Sequence, residues 1–171
     1  MGQVAGQLKD EAGKGLSGGS ILVPFGKTAL PAYPDASGQF NLQLPAGEYE
    51  LTATELGRNS VKATVIVKAG ETAAPSFSLP AASGVSFDIT SENSKSLPCK
   101  AHFAPLDPAA PKLDLGPKWR AHGCVDQWHS EKGQCTVQLP SGKCRVVVVR
   151  GPEYRRLAHE VTLEPGQMAD F

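Results

Sequence analysis

The sequence has no surplus of either charge: 17 Lys and Arg stand against 17 Asp and Glu. Neither half carries a strong excess. A nucleic-acid footprint or a membrane-surface patch needs clustered basic charge, so no nucleic acid is expected as a partner. Long apolar runs are missing as well. No stretch approaches the roughly 20 apolar residues of a transmembrane helix, so no membrane insertion is expected. The opening MGQVAGQLKD has neither the basic segment nor the apolar core of a secretion signal. Helical periodicity is also absent, and at most RRLAHE, residues 155–160, forms a single helical turn. Phosphate loops are excluded on spacing. GKGLSGGS lacks the closing Gly-Lys-Ser/Thr and a following helix, and GKT at 26–28 lacks the upstream glycine. The first half contains no cysteine.

Glycine and proline are abundant, with 18 and 14 copies. Both disfavour helix interiors and suit short strands joined by turns. Period-two alternation runs through the chain. Phe40, Leu42 and Leu44 alternate with polar residues in GQFNLQLP, and Tyr49, Leu51 and Ala53 do so in EYELTA. Such alternation reads as a half-buried hairpin turned by PAGE. QVAGQL, SILVPF and the run Val61, Ala63, Val65, Val67 add further strands. Asp35 in PDASG reads as a turn residue whose side chain bonds nearby backbone.

The second half then repeats the first. GQFNLQLPAGEYELTA at 38–53 aligns with GQCTVQLPSGKCRVVV at 133–148 without a gap, at a constant offset of 95. VKATVIVKAGE resembles AHEVTLEPGQ, and LSGGSILVP resembles LPCKAHFAP. The second copy carries an insert, DPAAPKLDLGPKWRAHG, between its strands. A repeat this long is a duplicated domain and not a stacked array, whose period is roughly 20–50 residues. The expected architecture is all-β: two tandem antiparallel β-sandwiches, 1–80 and 84–171, with a boundary at LPAAS, Leu79 to Ser83.

The four cysteines are Cys99, Cys124, Cys135 and Cys144. Their even number fits two disulfides in an oxidising compartment. Cys135 and Cys144 replace Phe40 and Tyr49 of the first copy, so both face inward. On a hairpin with Leu139 opposite Cys144 they lie about four residues apart along the strands, too far for a direct bond. Each is therefore expected to pair with Cys99 or Cys124. Free core thiols, and zinc held by these cysteines with His122 or His129, remain alternatives. A redox pair is disfavoured, since no Cys-x-x-Cys occurs. Trp119 and Trp128 flank HGC, 122–124, at the end of the insert; they stack on sugar rings or cover the core. No nucleophile sits beside a base, so neither catalytic residues, a metal centre nor a cofactor is expected.

On GQVAGQLKDEAGKGL, PDASGQFNLQLPAGEYELTA and VIVKAGE, residues 2 to 80 resemble the carboxypeptidase regulatory-like, or transthyretin-like, sandwich. SLPCKAHF and GQCTVQLPSGKCRVVVVRGPEYRRLAHEVTLEPGQ resemble the amino-terminal β-domain of carbaryl-hydrolase-like metallohydrolases of the PHP superfamily. That second resemblance rests chiefly on RGPEY, 150–154. In that family a catalytic domain opening on His-x-His follows. None of His102, His122, His129 or His159 forms such a pair, so the resemblance implies an accessory module and not catalysis by this chain. Its implied partner is a following catalytic domain; Arg150, Glu153, Tyr154 and Arg155 read either as the surface that docks it or as a strand-end turn at Gly151-Pro152 with Tyr154 capping the sandwich. The alternative is a free-standing module binding carbohydrate or a cell-envelope partner through Trp119 and Trp128. The compartment implied is the bacterial periplasm or exterior.

Overall fold

The computed structural model describes residues 1–110, 112–120 and 122–170. Pro111 and Ala121 of the insert, and the final Phe171, lie outside the described residues. Among the described residues every regular element is a strand, and the chain divides into two compact units, Met1–Ala81 and Ala82–Phe171.

Unit 1 contains β1 (Gly2–Asp10), β2 (Ser20–Phe25), β3 (Thr28–Ala32), β4 (Gln39–Leu44), β5 (Gly47–Thr54), β6 (Val61–Val67), β7 (Thr72–Ala73) and β8 (Ser76–Leu79). One sheet pairs β1 antiparallel with β4 and parallel with β7 and β8. The other runs β3-β2-β5-β6. Val4, Leu8, Phe40 and Phe77 of the first sheet and Ile21, Leu51, Ala53 and Val65 of the second form one buried core. Alternation along each strand drives this arrangement, because every second side chain leaves water.

Unit 2 contains β9 (Ser83–Asp88), β10 (Cys99–Pro105), β11 (Gly123–Cys124), β12 (Gln127–Ser130), β13 (Gln134–Leu139), β14 (Gly142–Val149), β15 (Leu157–Leu163) and β16 (Met168–Asp170). Its sheets run β13-β9-β16 and β11-β12-β10-β14-β15. The connectivity repeats that of unit 1, with β9 parallel to β16 as β1 is to β8. The bounds of β13 and β14 stand at the offset of 95 from β4 and β5. The insert lies between β10 and β12, where unit 1 has only the Gly26–Lys27 turn.

Three expectations need correction. GQFNLQLPAGEYELTA is not a hairpin: β4 pairs with β1, whereas β5 pairs with β2 and β6. Its turn carries the chain from one sheet to the facing one, and β13 and β14 do the same. Alternation cannot separate these cases, since both strands bury one face either way. Consequently Leu139 lies opposite Ser83, and Cys144 opposite Pro105 and Val161. The upstream alignment also slips by one. Ser20 faces Thr54 and Lys100 faces Val149, so Ser20 corresponds to Lys100 and not to Ala101. A one-residue slip exchanges core and solvent faces, and the ladder decides between them. Third, RRLAHE forms no helical turn; from Leu157 onward it is β15, paired along β14.

Candidate functional site

The RGPEY segment closes one end of unit 2. β14 ends at Val149, opposite Lys100, and β15 begins at Leu157, opposite Val148. Between them the chain turns at Gly151, whose carbonyl accepts the Tyr154 N–H at 3.2 Å. The turn brings the Arg150 guanidinium over the Tyr154 ring, 4.5 Å from its centroid. Glu153 folds back over the same turn, its carboxylate 3.2 Å from where a Cβ on Gly151 would stand.

The facing wall is the loop 89–97. Ile89 donates to the Gly133 carbonyl and receives the Leu97 N–H, while Ser91 and Lys95 close the tip. Ser94 takes a left-handed φ of 56° there. Between the walls lies a cleft of about 540 Å³, floored by Leu97, Cys99 and Val148 and rimmed by Arg150, Tyr154 and Arg155. Arg150 also borders an adjoining groove with Lys100 and His129. The structure thus brings Arg150, Tyr154 and Arg155 together. The sequence reading missed the opposite wall, although the polar run TSENSK was its visible signal.

The rim carries two guanidiniums, with Glu92 on the opposite wall. Among the described residues no carboxylate lies within ion-pair distance of Arg150 or Arg155. In unit 1 the segment after β5 uses its guanidinium internally. Arg58 pairs with Glu55 at 2.6 Å and donates to the Pro80 carbonyl at 2.6 Å. In unit 2 Arg145 is likewise paired, with Glu160 at 2.7 Å, whereas Arg150 and Arg155 form no ion pair among the described residues.

The two expected disulfides are not formed: Cys99, Cys124, Cys135 and Cys144 are all free thiols. Packing explains Cys135. Phe40 sits opposite Gly6, where even a Cβ would approach the phenyl ring to 2.5 Å. At the matching pair in unit 2, Cys135 sits opposite Phe87. The aromatic has changed strands, and cysteine fills the smaller half of the pair. Ile21 opposite Ala53 becomes Ala101 opposite Val148 by the same exchange. Cys99 lies opposite Ser130, and Cys144 lies between Pro105 and Val161. Cys124 sits on the insert hairpin, its Sγ donating to the Lys118 carbonyl at 3.3 Å. Burial pushes the thiols of Cys135 and Cys144 up to about 11, with the neighbouring Cys99 adding to the rise at Cys135. It raises Cys99 as well. Protonated thiols, buried at Cys99 and Cys144 and partly so at Cys135, are poor nucleophiles and poor metal ligands. Among the described residues no three His, Cys, Asp or Glu side chains gather as a metal set.

The two tryptophans do not act as a pair. Trp128 packs on the core and tilts against His122, ring centroids 6.3 Å apart. Trp119 is 88% exposed. The insert is held by backbone bonds from Leu115 to the Val125 carbonyl and from Val125 to the Gly116 carbonyl. This places His122 and the β-branched Val125 at φ of 67° and 55°. Asp35 behaves as a turn residue: its Oδ1 accepts from the Ser37 N–H, the Ser37 hydroxyl and the Gln39 N–H. Those donors hold its carboxyl below the usual carboxylate range.

Comparison with known proteins follows the fold. No curated protein sequence matches the chain. Among solved structures, a streptococcal ancillary pilin is 12% identical over 99% of this chain and 61% of its own, with a TM-score of 0.51. The Bacillus anthracis TIE protein is 17% identical over 99% of this chain and 33% of its own, with a TM-score of 0.44. A DUF3823 family protein from Bacteroides ovatus is 11% identical over 94% and 98%, at 0.40. The chain thus spans 33% and 61% of the TIE protein and the pilin. The likeness to the pilin shows a shared fold. It is the first unit, over residues 3–80, that matches the family model of the carboxypeptidase regulatory-like domain.

Proposed function

We propose that this chain is a non-catalytic interaction module whose second unit docks a protein partner at the cleft between residues 89–97 and 150–157. The single observation that carries this reading is the pair of guanidiniums on its rim, neither of which forms an ion pair among the described residues. Arg150 is already ordered by the Tyr154 ring, so little side-chain freedom is lost on binding. Arg and Tyr above an apolar floor are the residue types that dominate interface energies. The resemblance of RGPEY and its preceding strands to PHP-superfamily hydrolases supports one choice of partner. It is a metal-dependent catalytic domain of an exported bacterial hydrolase, which this module positions or stabilises in the periplasm or outside the cell.

The test is calorimetric titration of the chain with a separately produced PHP-type catalytic domain from the same reading frame. Saturable binding is expected, weakened at least about 100-fold in Arg150→Ala/Arg155→Ala, as two interface hot spots imply. Unchanged affinity in the double variant would overturn the cleft as the docking surface. No binding, with no His-x-His encoded in the frame, would overturn the whole reading. The exposure of Trp119 favours a second reading, a free-standing module for carbohydrate or a cell-envelope partner. A change in tryptophan fluorescence on glycan addition, lost in Trp119→Ala, would support it.

A further inference from the structure

Unit 1 has an outward sheet face that the docking reading does not use. Val4 and Leu8 enter the core, so Gln3, Ala5 and Gln7 of β1 point the other way. The register sets Gln3 opposite Gln43, Ala5 opposite Asn41 and Gln7 opposite Gln39, and β8 adds Ser76 beside Gln7. The face is therefore a lattice of amides and a hydroxyl with a methyl group at its centre. Ala5 is too short to fill its place, and the interruption between β7 and β8 at Ala74–Pro75 opens the side. A groove of about 800 Å³ results, lined by Gln7, Gln39, Asn41 and Ser76, with Tyr33 and Pro34 along one wall.

Three features of this groove restrict its ligand. Its lining contains no Lys, Arg or His, and its one carboxylate, Asp35, is committed to its own turn. A phosphate, sulfate or carboxylate would find no cation there. The Gln3 amide donates to Asn41 Oδ1 at 3.2 Å, which orients Asn41 and turns its NH₂ to the groove's use. Amides offer a donor and an acceptor side by side, matching vicinal hydroxyls that each do both. Tyr33 is 72% exposed, so its ring is a free apolar platform.

Unit 2 supplies the contrast. At the position matching Gln7 stands Asp88, which receives the Gln134 amide at 2.9 Å. Asp170 lines the same place. The matching face is acidic and partly closed by its own hydrogen bonds, so the neutral groove belongs to unit 1.

We infer that this groove binds a neutral oligosaccharide, with Tyr33 stacked on a pyranose face and Gln7, Gln39 and Asn41 bonding ring hydroxyls. The full chain would be titrated by calorimetry and by heteronuclear NMR. The ligands are neutral gluco-, manno- and xylo-oligosaccharides, with sulfated and sialylated sugars for comparison. Saturable binding of a neutral sugar is expected, insensitive to added salt. Tyr33→Ala and Asn41→Ala should each weaken it about tenfold or more, a change of about 1.4 kcal/mol, while both keep the parent melting temperature. Trp119→Ala and Arg150→Ala should leave it unchanged, which separates this site from both readings above. No neutral sugar bound at millimolar concentration, a preference for the anionic sugars, or binding that survives Tyr33→Ala and Asn41→Ala would each overturn the inference.

Discussion

Cys135 and Phe87 occupy one cross-strand pair, and their volumes are matched to each other in the way that Phe40 and Gly6 are matched in unit 1. Close packing makes such pairs act as units. Phe87→Ala alone should cost about 3–5 kcal/mol, and Cys135→Phe alone about 1–3 kcal/mol from overpacking. The double variant restores the total volume, so it should be less destabilised than the sum by at least about 1 kcal/mol. Urea unfolding of all three variants measures this, and simple additivity would show that the two sites do not share one space. The thiols give a second check. Alkylation under denaturing, non-reducing conditions should label all four cysteines, and Cys124 should react first in the native protein. Zero labels would mean two disulfides. The sign of the pH effect follows from the raised thiols. Cys135 and Cys144 hold their protons in the folded state up to about 11, against an ordinary 9.0. The folded chain therefore binds more protons between those values. Their contribution is complete below pH 9 and is lost as pH rises through 11, so an alkaline melt should show a falling midpoint that Cys144→Ala reduces.

At the scale of elements, the turns decide what the strands become. Asp35 closes its turn with three hydrogen bonds to one oxygen, and its carboxyl is held below the usual range. That stabilisation is present above the ordinary carboxylate value near 3.8 and disappears as pH falls through the lowered folded value. Asp35→Asn should flatten the acid limb of unit 1 melting, and an unchanged limb would remove Asp35 from that role. The insert turn is strained in the opposite sense. Val125 sits at a φ of 55° between two backbone hydrogen bonds, a conformation that costs an L side chain about 1–2 kcal/mol. Val125→Asn should raise stability by about 1 kcal/mol, and a loss would mean that the valine side chain packs to advantage. PAG and PSG were legible as reversals, but not as crossings between sheets. A strand whose alternate residues are apolar fits either sheet of a sandwich equally well, and only the ladder partners choose.

For the whole molecule, each unit has its own buried cluster and its own pair of sheets. Chains 1–81 and 82–171, expressed separately, should each unfold cooperatively, and their far-ultraviolet spectra should sum to that of the parent. A molten profile in either piece would show that it depends on the other. The repeat was visible because inward positions and turn residues recur at one offset in both halves. The groove of unit 1 was not visible, because it depends on Ala5, Asn41, Tyr33 and Pro75, which are distant in sequence and undistinguished singly.

The sequence by itself determined the class and the duplication. Period-two alternation, glycine- and proline-marked turns and an ungapped repeat leave little but two β-sandwiches, since each follows from local chemistry. The tertiary structure decided three things: which strands share a sheet, that the cysteines do not pair and Cys135 takes the smaller half of a pair whose aromatic is Phe87, and where Arg150, Arg155 and Tyr33 meet their neighbours. These depend on register and on volumes exchanged across the ladder between residues far apart in the chain, which no local pattern records.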